Sequence, residues 1–324
     1  MGIEGDMLMK SHHLPDSDLQ VSTLCFGAGN FGTTVVDERL EQLVRLFLDA
    51  GGNFFDTAHC YGFWYPGGDG ASEMSLGEIV RRLRVHERVV IATKGGHPAI
   101  DPGYPRPDAF ISPTRIAADL DDSLERLKMD NVGLYYLHYD DARLPVDEII
   151  EMLNAEIARG RIRALGASNW RTERIAAANA YATAHGLRGF SVSQPQWSLA
   201  QFNHQSGPDP TQRALTPPDI RWHEETRLPA APYSATGCGY FGANQPAAEG
   251  QFDNPVSRAR RERARQLAAE LGCTPHQVAL AYLLCQDFPV IPIFSSSNPD
   301  HLAETLAATA VTLTLEQRRW LAEG

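Results

Sequence analysis

Apolar residues in this chain fall into short continuous runs that alternate with longer stretches of helical period. Residues 21–26 (VSTLCF) read as a first strand, ended by Gly27, Gly29 and Gly32. From Asp37 onward, Leu40, Leu43, Val44, Phe47 and Leu48 recur at the spacing of a half-buried helix, and Gly51 and Gly52 stop it as C-terminal glycines do. Residues 53–56 form the next strand and 72–83 the next helix, while 88–93 (RVVIAT) has the continuous apolar character of a strand covered on both faces. Ser112 and Pro113 supply a helix cap and a first-turn proline, with Ile116, Leu120, Leu124 and Leu127 along one face. Residues 132–138 are the fourth strand and 146–158 its helix, with Ile149, Ile150 and Leu153 turned inward. Further strands are expected at 162–166, 190–194, 228–233 and 290–294; the 228–233 run (LPAAPY) is the least strand-like because two prolines interrupt it.

Repeated strand-helix alternation with no run of consecutive strands predicts an α/β protein, a (β/α)8 TIM barrel. We expect one domain over residues 1–324, with the barrel core at about 21–308 and a short N-terminal extension. The longest irregular stretches, 61–71, 95–111, 201–215 and 234–256, each follow a strand and are expected on the C-terminal face, where loops carry function. A competing signal lies near the start: Gly27-Ala28-Gly29-Asn30-Phe31-Gly32, with Asp56 beyond it, matches a dinucleotide-binding G-x-G-x-x-G fingerprint. The next helix begins near Asp37 rather than directly after Gly32, and the alternation continues evenly to residue 308. The glycines are therefore read as the first βα loop, where the small residues Ala28 and Gly29 let a cofactor approach closely.

Composition narrows the class. A hydrophobic content of 43% supplies a large core, and a net charge of −11 without a basic run argues against a nucleic-acid partner. No stretch has the length and apolarity of a membrane helix, and the first residues lack a signal-peptide pattern, so a cytoplasmic protein without a membrane partner is expected. Cys25, Cys60, Cys238, Cys273 and Cys285 are scattered without a CxxC pair, so neither a metal site nor a disulfide framework is signalled.

Asp56, Tyr61, Lys94 and His138 stand at or just after the ends of successive strands, roughly one βα unit apart, where a parallel barrel brings side chains to a common face. Taken singly, each has an ordinary reading as a cap, a packing ring, a surface lysine or a core histidine. Together they could serve carbonyl reduction, which needs a hydride donor on one face of the carbonyl and a proton donor at its oxygen. Tyr61 would donate the proton, its pKa drawn from near 10 toward neutrality by Lys94; Asp56 would keep Lys94 charged; His138 would orient the carbonyl.

The run Gly52-Asn-Phe-Phe-Asp-Thr-Ala-His-Cys-Tyr-Gly62 resembles the G-x-N-x-x-D-T-A-x-x-Y-G signature of aldo-keto reductases. Ile91-Ala-Thr-Lys94, Leu134-Tyr-Tyr-Leu-His138, Gly160-Arg-Ile-Arg-Ala-Leu-Gly-Ala-Ser-Asn169 and Gln194 follow in that family's order, over roughly residues 19–322. The resemblance implies an (α/β)8 barrel that binds NAD(P)H across its strand ends without a Rossmann domain. It makes Asp56, Tyr61, Lys94 and His138 the catalytic tetrad. It also assigns Ser168, Asn169 and Gln194 to the nicotinamide carboxamide, with helix capping the alternative for Ser168 and Asn169, and Tyr233 to the nicotinamide ring. Ser234 would begin the loop over the pyrophosphate, although the following Ala-Thr-Gly-Cys-Gly lacks the family's usual Pro-Leu and basic residue.

After the last strand the chain reads Phe294-Ser-Ser-Ser-Asn-Pro-Asp-His-Leu-Ala-Glu304, where family members that prefer NADPH usually carry Lys or Arg. Ser295, Ser297 and His301 remain as neutral or titratable ligands and Glu304 as the adenine contact; the resemblance makes NADP(H) the first expectation, the missing basic residue weakens that preference and leaves NAD(H) an alternative, and no metal is expected. Trp64, Tyr139 and Trp197 are the substrate-facing candidates, with Tyr65 a further aromatic; Trp197 follows Gln194 so closely that packing beneath the cofactor is an equal alternative for it. The chain ends soon after its final helix, which points to an open site and a small polar carbonyl such as an aldose, ketose or hydroxy-aldehyde. A monomer or small homo-oligomer is expected. The family offers one alternative role, a cofactor-binding regulatory subunit that reports redox state with little turnover.

Overall fold

In a computed structural model of the chain, residues 9–99, 103–203, 213–242 and 245–324 are described. The first departure from expectation comes at the N-terminus. Residues 21–26 are not one strand: β1 (Ser11–His13) and β2 (Gln20–Ser22) form an antiparallel hairpin, and β3 (Cys25–Gly27) starts afresh as a barrel strand. Ser22 makes the join, its hydroxyl accepting the amides of Asn53 and Phe54 while its own amide donates to Asn53 Oδ1 at 2.7 Å. Leu14, Leu19 and Val21 then pack with Cys25, Phe54, Ala92, Leu134, Val192 and Ile291, so the hairpin closes the N-terminal end of the barrel.

The elements after it follow the sequence pattern: α1 (Asp37–Asp49), β4 (Phe54–Asp56), α2 (Ala71–Leu83), β5 (Val90–Gly95), α3 (Pro113–Leu127), β6 (Val132–Leu137), α4 (Val146–Ala158), β7 (Ile162–Ser168), α5 (Thr172–His185) and β8 (Phe190–Gln194). Then come α6 (Pro217–Thr226), α7 (Gln245–Phe252), α8 (Pro255–Leu271), α9 (Pro275–Leu284), β9 (Ile293–Phe294), α10 (Pro299–Ala307) and α11 (Leu315–Glu323). Ser112 accepts the amide of Arg115 and Pro113 opens α3, as its capping sequence requires. The α1 stripe buries Leu40, Leu43, Val44, Phe47 and Leu48 against the sheet. Phe47 meets Phe26, Phe55 and Phe294 there, with Phe26 and Phe294 stacked at 5.0 Å, an aromatic seam that fixes the first helix to the wall. The expected loop at 234–256 contains a helix, α7, whose weak apolar periodicity left no signal. Part of the expected 95–111 and 201–215 loops lies outside the described residues.

Seven parallel strands run in the order β8-β7-β6-β5-β4-β3-β9. The eighth stave is the proline-interrupted run 228–233, which bridges β8 through Ser193 and Ala230 and the approach to β9 through Ala230 and Val290. Its prolines serve as acceptors only: Ser193 donates to the Pro229 carbonyl at 3.0 Å and Ile293 to that of Pro232 at 2.9 Å, while Ala230 donates to Pro289 across the seam. The result is a (β/α)8 barrel in which this stave is stitched by bridges rather than by a regular strand.

Helix packing around the barrel has one glycine-dependent contact. A Cβ on Gly77, midway along α2, would lie 2.5 Å from the Leu127 carbonyl oxygen, so α2 and α3 approach too closely for any side chain. Ala would improve helix propensity, but here overpacking against backbone dominates. Gly77→Ala should lose ~1–3 kcal/mol, read as a lower urea midpoint at unchanged m-value.

Candidate active site

Side chains on a strand point to alternate faces, so the barrel interior is filled by every second residue. Phe54, Ala92, Leu134, Ala164, Val192 and Ala231 form the apolar interior layer. One step further along that register are Asp56, Lys94, Gln194 and Tyr233, and two steps further His138 and Ser168. The interior thus changes from hydrocarbon to polar groups at the C-terminal mouth.

Lys94 is the hub. Its ammonium donates to Asp56 Oδ2 at 2.6 Å, to the Thr57 carbonyl at 2.8 Å and to the Tyr61 hydroxyl at 3.0 Å, filling its three N–H positions. Both charged side chains are out of solvent, at 0% exposure for Lys94 and 3% for Asp56, so the pair stands only because each satisfies the other. Gln194 Nε2 donates to the second carboxylate oxygen of Asp56 at 2.8 Å. Burial by itself would discharge Lys94, but Asp56 and Tyr61 outweigh it and hold the pKa above the usual lysine value. Burial likewise raises the Asp56 pKa, with Lys94 and Gln194 opposing it.

Tyr61 departs from the expected direction. Burial pushes its hydroxyl up to about 12, Lys94 pulls it down without overcoming that, and Asp56 adds to the rise. The structure therefore presents Tyr61 as a protonated phenol rather than one drawn toward neutrality. His138 is held well below the ordinary histidine value by burial, with His97, Lys94 and His59 adding to the effect, so its ring is neutral. The Tyr61 and His138 rings meet edge to face at 5.9 Å. His138 is anchored by its backbone, its amide on the Gly95 carbonyl and its own carbonyl accepting from Asn169 Nδ2 at 3.1 Å.

Asp56 and Tyr61 open into a cleft of about 500 Å³ that continues past Gly27, Gly29, Tyr233 and Ser234 to Ser295, Ser296, Ser297, His301 and Glu304. The structure thus brings most of the expected cofactor residues to one groove. Ala28 is fully buried behind it. Ser168 lies in β7 and Asn169 sits after it with φ +61, while the cap of α5 is Arg171, so neither residue caps that helix. Asn169 Oδ1 instead accepts from the Tyr233 hydroxyl at 2.9 Å, and the Ser168 hydroxyl donates to the Gln194 carbonyl at 3.1 Å. His276, on α9, is a groove residue that the sequence did not announce; its ring pairs with Thr305 at 3.0 Å, and burial lowers its pKa. No Lys or Arg among the described residues lines the groove.

Of the aromatic candidates, Trp64 stands half-exposed beside the Tyr61 ring at 5.8 Å, and Tyr139 stacks on His138 at 5.5 Å. Trp197 does not belong with them. It is buried against Phe288, parallel at 6.1 Å, with Leu280, Leu283 and Val290 around it, so it packs behind the wall outside the cleft. No helix among the described residues is long and apolar enough to cross a membrane.

Comparison with known proteins places this barrel, with its buried Asp56–Lys94–Tyr61 cluster at the C-terminal mouth, among the oxidoreductases. The chain belongs to the aldo/keto reductase family, whose model matches residues 23–322. It is 29% identical over 315 residues to the uncharacterized oxidoreductase YrpG of Bacillus subtilis, covering 97% of this chain and 95% of that one. Similarity extends to norsolorinic acid reductase A of Aspergillus parasiticus, 27% identical over 94% of this chain and 78% of the relative, and to aryl-alcohol dehydrogenase GME11368 of Pestalotiopsis microspora, 27% identical over 98% and 83%. Among solved structures, the thermostable aldo-keto reductase Tm1743, determined with the inhibitor epalrestat, superposes with a TM-score of 0.71 at 20% identity, over 97% of this chain and 99% of that one, which supports the fold.

Proposed function

We propose that this enzyme reduces an aldehyde or ketone to the alcohol with NAD(P)H, using Tyr61 as the proton donor and Asp56, Lys94 and His138 as its supporting groups. The observation that carries this reading is the contact of a fully buried Lys94 ammonium with both the Asp56 carboxylate and the Tyr61 hydroxyl. A bound reduced nicotinamide would supply the hydride to the carbonyl carbon. Tyr61 gives its phenolic proton to the developing alkoxide, and Lys94 stabilises the phenolate left behind. A protonated resting phenol suits this direction of reaction, because the acid must carry its proton when substrate arrives. Neutral His138 can donate one N–H to the carbonyl oxygen, and Asp56 keeps the ammonium charged in a dry site.

The groove suits a nicotinamide dinucleotide by its chemistry. Ser168, Asn169 and Gln194 stand just behind the lining, bonded through Gln194 to Asp56 and through Asn169 to Tyr233, and would offer the hydroxyl and amide groups a carboxamide needs, while Tyr233 offers a ring face. Ser295, Ser297 and His301 would hold the adenosine ribose, with Glu304 nearby. With no lining Lys or Arg among the described residues, a 2′-phosphate gains no fixed charge-assisted bond from them there. NADPH should therefore bind no more than ~100-fold tighter than NADH, a gap of about 2.7 kcal/mol, in paired fluorescence titrations. A larger preference would overturn the cofactor assignment.

For the substrate, the walls beside Tyr61 favour a flat ring. Trp64, His138 and Tyr139 present aromatic surface, and two of the relatives carry names that denote aryl-alcohol and norsolorinic acid chemistry. Aromatic aldehydes are the first class to test, with aldoses and hydroxy-aldehydes as the polar alternative. The assay follows cofactor oxidation by purified enzyme with both cofactors and both carbonyl classes. Turnover of an aryl aldehyde at higher kcat/KM than the polar set supports the substrate class, and cofactor binding without oxidation by any carbonyl would favour a regulatory role instead.

A further inference from the structure

Cys60, His97 and His138 come from the loops or ends that follow β4, β5 and β6, so no sequence spacing links them. In the barrel they meet. Their ligand atoms lie within 4.8 Å of one another, and all three residues are buried. The Cys60 sulfur is 3.7 Å from His138 Nδ1, and the His97 and His138 rings meet at 4.7 Å with an interplanar angle of 86°. A tetrahedral zinc ion with bonds of ~2.3 Å to sulfur and ~2.0–2.1 Å to nitrogen sets its donors roughly 3.3–3.7 Å apart. The Cys60–His138 spacing already falls at that value, and the His97 ligand atom, within 4.8 Å of the other two, has only the remaining gap to close. His97 is also prepared in the manner of a metal ligand, because its Nδ1 lies 2.6 Å from the Pro98 carbonyl. A carbonyl can only accept, so Nδ1 is the donating nitrogen and Nε2 is the one that would turn to a cation.

We propose that Cys60, His97 and His138 form a binding site for a thiophilic divalent cation of the zinc type, and that occupancy shuts off carbonyl reduction. On binding, the Cys60 thiol releases its proton to solvent as the metal–sulfur bond forms, while the two imidazoles bind as neutral lone-pair donors with no change of oxidation state. One Cys and two His leave a fourth coordination position for water. The inhibitory half rests on the role proposed for His138: a ring fixed on the cation cannot adjust to the carbonyl, and the added charge stands beside the Tyr61 proton donor. The metal-binding half is independent of that role.

Chelator-treated protein titrated with cobalt(II), a spectroscopic stand-in for zinc, separates the two halves. Wild type should take up one equivalent with a sulfur-to-cobalt charge-transfer band and the visible bands of a tetrahedral ion, and zinc should displace it. Cys60→Ala should abolish the charge-transfer band, and His97→Ala should weaken cobalt binding by ~10-fold or more. The metal-free rate of each variant is the baseline against which its response to zinc is read. Equimolar zinc should then cut wild-type turnover at least tenfold while leaving Cys60→Ala within twofold. A band that persists in Cys60→Ala, or no band in wild type, would overturn the site. A normal band with unimpaired turnover would overturn the inhibitory role. Should no carbonyl prove to be a substrate, the cobalt spectra still decide whether the site exists.

Discussion

Tyr61→Phe should lower kcat for carbonyl reduction by ~10²–10⁴-fold while leaving the cofactor dissociation constant within a few-fold of wild type, because general-acid catalysis is worth about that much. The substitution removes one oxygen and keeps the ring beside Trp64 and His138, so the aromatic wall survives. Lys94 loses one acceptor but keeps Asp56 and the Thr57 carbonyl, and stability should change little. Steady-state kinetics on the best carbonyl, with cofactor binding measured separately, checks both halves. Wild-type turnover in the variant would end the assignment of Tyr61 as proton donor.

Lys94→Met has the larger structural effect. It removes the partner of a buried carboxylate and leaves Asp56 with Gln194 alone, a loss of ~3–5 kcal/mol for a broken buried pair. Asp56 would then take up a proton in the folded state at a pH where the unfolded chain is ionised. Its folded pKa stands above the unfolded value of ~3.9, so the folded state binds more protons and stability falls as pH rises above that value. Chemical denaturation of Lys94→Met at several pH values should show greater stability on acidification from neutrality. Asp56→Asn in the same chain should recover much of the lost stability without restoring turnover. If Lys94→Met alone is as stable as wild type at neutral pH, the two groups are not the mutually dependent pair described.

Much of this architecture was legible because local signals agreed. The Ser112-Pro113 cap, the α1 stripe and the continuous apolar runs of β5 and β6 each point to one answer, and the tetrad candidates sat where strands end. What escaped depends on the third dimension. The β1–β2 hairpin has strands too short for an alternation to show, and α7 carries proline and glycine within its span. The direction of the Tyr61 shift was misread because a neighbouring lysine is visible in sequence whereas the depth of burial is not. Trp197 follows Gln194 by three residues, yet the chain turns between them and sends the indole behind the wall. The meeting of Cys60 with His97 and His138 likewise required three loops to converge.

The stave at 228–233 gives the barrel an uneven stiffness. Each proline there and at 289 and 292 deletes one donor from the ladder, so the seam between β8 and β3 holds fewer cross-links per residue than the β5–β6–β7 wall opposite. Tyr233 and Ser295 stand on the two sides of that seam, at the groove. Amide exchange is therefore expected to be faster along this seam, which borders the proposed cofactor groove, than along the wall that carries Lys94 and His138.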